Sequence, residues 1–326
     1  GHPDVSQETR DHVLQIMQQN RYVPNNSARN LKLIHSNTIG VMVKGRDNPF
    51  FSLIIATIEA KLSSAHFSML LHYHHSNEDD ASVALGLIKE KRLRGLICLG
   101  GDFTGESLLV LSDSDVPIVL TSVELDGIVV PNNISTVSIR NSEAAYQATK
   151  ALLELGHRCI GLVSTGKEDR TAGRLRSKGY SRAILEYGLE PRLEYGIGAD
   201  YTFESAYRAG QKVLSLKPRP TAIFATSDIM AIGVAKAALE MGLKIPQDLS
   251  VMGFDGLDYG DYFHPTLATV KQPVEQMGIC SAELLLGSIE HNRETKHMTL
   301  DTELWMRASV GPCLNLEEEH RENGTT

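Results

Sequence analysis

His72, His74 and His75 stand within four residues of one another, and histidine is a common metal ligand. If residues 67–73 form a strand, His72 and His74 lie on one face at a spacing that could chelate. No cysteine or carboxylate joins them at ligand spacing before Glu78 and Asp79, so a metal site is not expected. Gly100-Gly101 with Gly105 follows an apolar run as a phosphate loop would. It lacks both the dinucleotide fingerprint and a following Lys-Ser/Thr, and reads as a turn. Neither Gly-x-Ser-x-Gly nor His-Glu-x-x-His occurs. Catalytic chemistry therefore has no candidate residues, and no cofactor is expected.

The four cysteines, Cys98, Cys159, Cys280 and Cys313, are widely separated and form no Cys-x-x-Cys pair. They read as small buried hydrophobes and suit a reducing cytoplasm. In 326 residues, 42% are hydrophobic and 22% charged, enough for a sizeable core. No apolar run approaches the roughly 18 residues of a membrane helix, and Gly1–Arg10 lacks the order of a secretory signal. A cytoplasmic protein with no membrane partner is expected. The net charge of −8 argues against nucleic acid, but its distribution is uneven. Residues 1–35 carry Arg10, Arg21, Arg29 and Lys32 against Asp4, Glu8 and Asp11, so the acidity lies in the body. Such a protein would confine contacts with DNA to one end.

From Thr38 onward short apolar runs alternate with stretches of helical period. Strands are predicted at 38–43, 67–71, 96–99, 118–120 and 136–139, with helices over 51–65 and 80–91 and another before 118. A second set opens at Cys159–Val163, with strands at 222–225 and 250–254 and helices near 175–187, 204–216 and 229–241. Ile39-Gly40-Val41 and Ile160-Gly161-Leu162 open the two sets alike. The pattern predicts an α/β protein of two doubly wound parallel-sheet subdomains. Before them, Ser6 can cap a helix to about Asn20, Pro24 stops it, and Asn25/Asn26 can cap one turn at Ser27–Leu31. Residues 314–326 read as a solvated tail. No heptads follow Pro312, so a tetramer built by a coiled coil is not expected.

In this order, several segments resemble the lactose-repressor/galactose-repressor family of bacterial transcriptional regulators. They are Val5–Arg10, Tyr22-Val-Pro-Asn25, Ala28-Arg29-Asn-Leu31, Thr38–Val41, Leu155-Gly-His-Arg158, Arg176–Tyr180, Thr226–Ala231, Ile245–Val251 and Gly253-Phe-Asp255. The resemblance runs nearly to Pro312 and implies a periplasmic-binding-protein-like core behind a truncated helix-turn-helix head, whose first two helices would lie upstream. Leu31 matches the hinge leucine that wedges into the minor groove, with Arg29 and Lys32 reaching phosphates. Leu31 could equally be a linker residue packed on the core. The implied partners are operator DNA, a small-molecule effector and a second copy of the chain.

Effectors of such folds bind beyond the carboxyl ends of the strands, between the two sheets. The resemblance places Phe51 there as a stacking ring, Arg176 and Asp255 as a donor fork and an acceptor, and Ser227 and Tyr201 as further contacts. Phe51 could also be core, and Arg176 and Asp255 could simply pair across an empty cleft. Arg170 matches an arginine that touches ligand in the purine-responsive branch. Arg140 stands where many members carry an acidic residue. Three arginines would favour an anionic effector such as a sugar phosphate or sugar acid.

The expected division is 1–35 head remnant and hinge, 36–157 with 272–296 as the first subdomain, and 158–271 with 297–313 as the second. The expected function is a ligand-responsive regulator, a repressor, acting as a dimer and without enzymatic activity. The alternatives are a periplasmic sugar-binding protein of a transporter, against which Tyr22–Leu31 argues, and a two-lobed enzyme, which would need a phosphate loop.

Overall fold

The computed structural model describes residues 6–19, 37–45, 48–74, 78–125, 127–166, 171–291 and 294–313. Residues 1–36 and 37–326 form separate compact units. Within the first lies α1 (Gln7–Gln19). Ser6 Oγ accepts the amide of Thr9 at 3.3 Å, the N-cap the sequence predicts. The turn expected at 27–31 lies outside the described residues.

The second unit is built on two six-stranded sheets. The first comprises β1 (Thr38–Lys44), β2 (Ser68–His74), β3 (Gly95–Leu99), β4 (Ile118–Thr121), β5 (Ile134–Ile139) and β11 (His297–Leu300), in the order β11-β5-β4-β3-β1-β2. All its pairings are parallel. The second comprises β6 (Ile160–Ser164), β7 (Gly196–Gly198), β8 (Ala222–Ala225), β9 (Ser250–Asp255), β10 (Ala268–Lys271) and β12 (Glu303–Trp305), ordered β12-β10-β9-β8-β6-β7. Only β12 runs antiparallel to its neighbour.

Helices cover both faces of each sheet, so the inner strands are apolar on both sides. On the first sheet, α2 (Phe50–Ser64) and α10 (Val274–His291, which follows the single-turn α9 at Tyr259–Tyr262) pack against Ile39, Val41 and Val43. The opposite face, with Met42, Leu96 and Cys98, is covered by α3 (Asp80–Lys91) and α4 (Gly105–Ser112). On the second, α7 (Phe203–Leu214) and α8 (Asp228–Glu240) cover one face, and α5 (Asn141–Glu154) and α6 (Ala172–Glu186) the other. The shared Ile-Gly motif has a packing reason. A Cβ on Gly40 would stand 2.5 Å from Leu93 Cδ1, and one on Gly161 2.5 Å from Ile223 Cδ1. Each glycine lets neighbouring side chains close over its strand.

The chain passes between the sheets three times, at 139–141, 271–274 and 300–303. Two expected boundaries are thereby corrected. α5 buries Ala144, Ala145, Ala148, Leu152 and Leu153 in the core of the second sheet, so the first passage falls at Arg140 and not after His157. β11 pairs with β5, so 297–300 belongs to the first sheet and only the following segment returns to the second. α5 and α6 approach closely: a Cβ on Gly179 of α6 would collide with the Ser142 carbonyl, and small Ala145 faces the same point.

Candidate functional site

The polar cluster at the first two passages is built around Asp255. This residue ends β9 at φ 125°, a conformation rarely tolerated outside glycine, and Gly256 follows at φ 76°. The turn is held by Asp228, the first residue of α8. Its Oδ1 accepts Thr269 Oγ1 at 2.6 Å and its Oδ2 accepts the Leu257 amide at 2.7 Å. Leu257 in turn packs against the first sheet's core cluster, which includes Phe50 and Phe51. The strained backbone at Asp255 is thus fixed by contacts on both sides of it.

Arg176, from the first turns of α6, is 3% exposed. Its Nε donates to Asn141 Oδ1 at 3.0 Å, and its Nη1 donates to Thr226 O at 2.7 Å and Asp255 Oδ1 at 3.1 Å. The guanidinium lies over the Phe254 ring at 3.7 Å. A buried arginine needs such a set of acceptors, because an unpaired one would lose its hydration without replacement. Asn141 donates through its amide and its Nδ2 to Glu124 Oε2, both at 3.1 Å. Gln272, between β10 and α10, donates Nε2 to Asp255 Oδ1 at 2.8 Å, while its buried Oε1 has no partner among the described residues. One hydrogen-bonded chain therefore joins Glu124 of the first sheet's side, two of the passages, and the ends of β8 and β9.

The electrostatics are those of two carboxylates sharing one guanidinium. Burial pushes Asp255 up to about 7; Arg176 pulls it down and Asp228 pushes it up. Burial also raises Asp228 to about 6, against the lowering bonds from Thr269, Leu257 and Gly256. Chemically the cluster offers a donor fork, a carboxylate and an unfilled amide acceptor, the groups that recognise a polyhydroxylated ligand.

The other predicted residues are distributed unevenly. Phe51 is 7% exposed and packs edge-on to Phe50 with ring centroids 5.2 Å apart, at the end of the first sheet where β1 gives way to α2. Tyr201 follows β7 and is half-buried against the core of the second sheet. Ser227 is wholly buried, and its Oγ caps α8 by accepting the Met230 amide at 3.2 Å. Arg140 is not brought to the cluster: it stands 3.7 Å from Asp301 on the third passage, with side chains 69% and 92% exposed. Arg170, Arg29, Leu31 and Lys32 lie outside the described residues. His74 turns to Asp80, and among the described residues no group of three histidine, cysteine or acidic side chains could hold a metal ion.

Sequence reasoning missed Asn141, Asp228 and Gln272. Each is a polar residue one to three positions beyond a strand in a sheet covered on both faces, a position where a functional side chain costs the core nothing. Gln272 was hidden because β10 itself was not expected.

Two open α/β sheets with polar groups converging where the chain passes between them define a two-lobed ligand-binding protein. A periplasmic binding protein-like domain model matches residues 149–310. The HTH-type transcriptional regulator MalR of Clostridium butyricum is 42% identical over 97% of this chain and 93% of its own length. Among solved structures, the transcriptional regulator CelR–cellobiose complex superposes with a TM-score of 0.74 at 28% identity, covering 95% of this chain and 93% of the other. A LacI family transcriptional regulator from Enterococcus faecium with bound ribose gives 0.73 at 26%, covering 84% and 99%. The chain belongs to this lactose-repressor family. It is a ligand-responsive transcriptional regulator, not a transporter's binding protein and not an enzyme. Among the described residues no helix is long and apolar enough to cross a membrane.

Proposed function

We propose that this regulator represses transcription by binding operator DNA as a homodimer, and that a neutral saccharide held at the Arg176–Asp255 cluster sets the angle between its two sheets. The carrying observation is the buried chain Glu124–Asn141–Arg176–Asp255–Gln272, which spans two of the passages. A ligand that exchanges bonds with its members acts on the joints themselves, which is how differential binding to two closure states becomes an allosteric signal. Hinge residues Arg29, Leu31 and Lys32 would read that angle on the DNA side.

Neutral ligand chemistry is supported over the anionic effector expected from the arginine count. Arg140 faces Asp301, and Arg176 is already balanced by Asp255. The relatives solved with cellobiose and with ribose hold neutral sugars. Isothermal titration with cellobiose, ribose, glucose 6-phosphate and gluconate tests this. Heat released only by the neutral sugars supports the reading, and binding confined to the acidic compounds overturns it.

Dimerisation is supported by a groove of about 530 Å³ between α7 and α8, with Phe203, Ile232, Leu239 and Phe263 among its lining and Glu204, Lys236 and Glu240 also on its wall. Tyr259 meets Phe203 edge-on with ring centroids 6.3 Å apart and extends the apolar face, and Leu71 and Tyr73 are exposed on edge strand β2. Contiguous apolar surface of this kind marks association sites on soluble proteins.

A further inference from the structure

Five helices of the second unit close with one backbone motif, in which a residue at positive φ turns the chain back toward its sheet. For α5, α6 and α8, packed on the second sheet, that residue is glycine: Gly156, Gly188 and Gly242, at φ 92°, 71° and 80°. For α2 and α3, on the first sheet, it is His66 at φ 61° and Arg92 at φ 49°. The motif is fully formed there too, the amides of Phe67 and Leu93 donating to Leu62 O at 2.9 Å and Ile88 O at 3.1 Å. A side chain at positive φ carries a steric cost that glycine avoids, and its retention points to a use for the side chain.

Both residues stand at the amino end of the first sheet, where the chain enters it. Asn37 Nδ2 donates to His66 O at 2.5 Å, Asn37 O accepts the Ser68 amide at 3.0 Å, and Thr38 O accepts the Arg94 amide at 2.9 Å. The Arg94 guanidinium lies 5.9 Å from the centre of the Phe67 ring, next to His66. Residues 89–94 hold four cations and one acid, all exposed, and are anchored by wholly buried Leu93. A helix dipole favours cations in any last turn. Yet α5, α6 and α8 carry none there, whereas α3 carries Lys89 and Lys91. Asp113 and Asp115, at the same end, precede β4 on the other side of β3 from the entry point.

We propose that His66, Arg92 and Arg94 form a rim that receives backbone phosphates of the duplex held by the hinge, a DNA contact carried by the ligand-binding core itself. This rests on the reading that the chain binds operator DNA through Arg29, Leu31 and Lys32. Six residues separate Leu31 from Asn37, a span of at most about 20 Å of extended chain, so a duplex held at Leu31 passes close to the rim. Guanidinium groups suit phosphate oxygens, and such contacts add affinity without reading sequence. The chain's net charge of −8 repels DNA, and a basic rim offsets that repulsion where duplex and core come closest.

The test is fluorescence anisotropy of the full chain with a labelled mixed-sequence duplex, between about 50 and 200 mM salt. Wild type is compared with Arg92→Gln/Arg94→Gln, Arg92→Gly and the hinge variant Arg29→Gln/Lys32→Gln. Lys212→Gln/Arg219→Gln removes two exposed cations beside the second sheet as a charge control. Losing two phosphate contacts should flatten the slope of log K against log salt by about 1.8, so that wild type loses about tenfold more affinity than Arg92→Gln/Arg94→Gln over that range. The charge control should keep the wild-type slope. Arg92→Gly should bind more weakly while melting at or above the wild-type midpoint, because glycine relieves the turn; a purely structural role for Arg92 predicts a lower midpoint. Wild-type slope and affinity in Arg92→Gln/Arg94→Gln, with the hinge variant weakened, overturns the rim alone, as does an equal loss in the charge control. No binding by wild type, or full affinity in the hinge variant, overturns the DNA reading of the hinge and this proposal with it.

Discussion

Arg176 and Asp255, 79 residues apart in sequence and both almost fully buried, bond each other at 3.1 Å across the ends of two different elements. A pair of opposite charges withdrawn from water gains little net stability, and the role proposed for this one is to exchange bonds with a ligand. Replacing Asp255 with asparagine keeps the shape and removes the charge. Effector affinity is expected to fall about tenfold or more, the scale of a lost bond to a charged group. Titration calorimetry of Asp255→Asn against the sugar that binds wild type measures it.

The same carboxylate gives the fold a pH signature. Burial raises Asp255 to about 7, above its unfolded value of about 4. An acid shifted upward stabilises the fold while protonated and loses that contribution as pH rises through the folded pKa. Wild type is therefore expected to lose stability relative to Asp255→Asn between about pH 4 and pH 7. Paired urea unfolding series across that range test the sign, and a constant difference would contradict it.

His157 supplies a contrast, being buried at the opposite, amino end of the second sheet. Its Nδ1 meets Thr221 Oγ1 at 2.9 Å, and its Nε2 meets Ser250 Oγ at 3.1 Å and Gly311 O at 3.0 Å. It ties the last described segment to the sheet. His157→Ala should cost about 2–3 kcal/mol in urea unfolding, from orphaned buried partners, while effector affinity in the folded variant stays within twofold.

Much of this was legible in the sequence, for identifiable reasons. Inner strand segments such as 39–43 and 222–225 are buried throughout and read as apolar runs. Arg176 and Asp255 were legible through the resemblance, because their motifs are local in sequence. What escaped depends on packing between distant segments. The helix at 141–154 starts at a passage between the sheets with no glycine or proline to mark it, β10 to β12 are only three or four residues long, and β11 takes its sheet from a partner 161 residues away. Arg140, at a passage between the sheets, faces Asp301 in solvent and bonds to no member of the buried chain.

Arg140→Ala is accordingly expected to be nearly silent. The pair with Asp301 is long and solvent-exposed, and such pairs contribute less than about 0.5 kcal/mol. Sugar affinity should change less than twofold. A large loss, or wild-type binding of sugar phosphates abolished by the substitution, would restore Arg140 to the site.

Replacing apolar side chains of the groove between α7 and α8 with carboxylates, beside Glu204 and Glu240, should separate protomers. Phe203→Asp, alone or with Leu239→Asp, is expected to convert a dimer to a monomer in sedimentation velocity at micromolar concentration. A wild-type chain that is already monomeric there would contradict the assignment of this face.

Binding of a neutral saccharide through Arg176 is tested most directly by thermal unfolding of wild type and Arg176→Gln with and without cellobiose, maltose and ribose. A ligand at about 100 times its Kd adds about 2.7 kcal/mol, enough to raise the midpoint by several degrees. The predicted result is such a rise in wild type with at least one of these sugars and its absence in Arg176→Gln. Equal rises in both proteins, or a rise in wild type only with phosphorylated or acidic compounds, would contradict it.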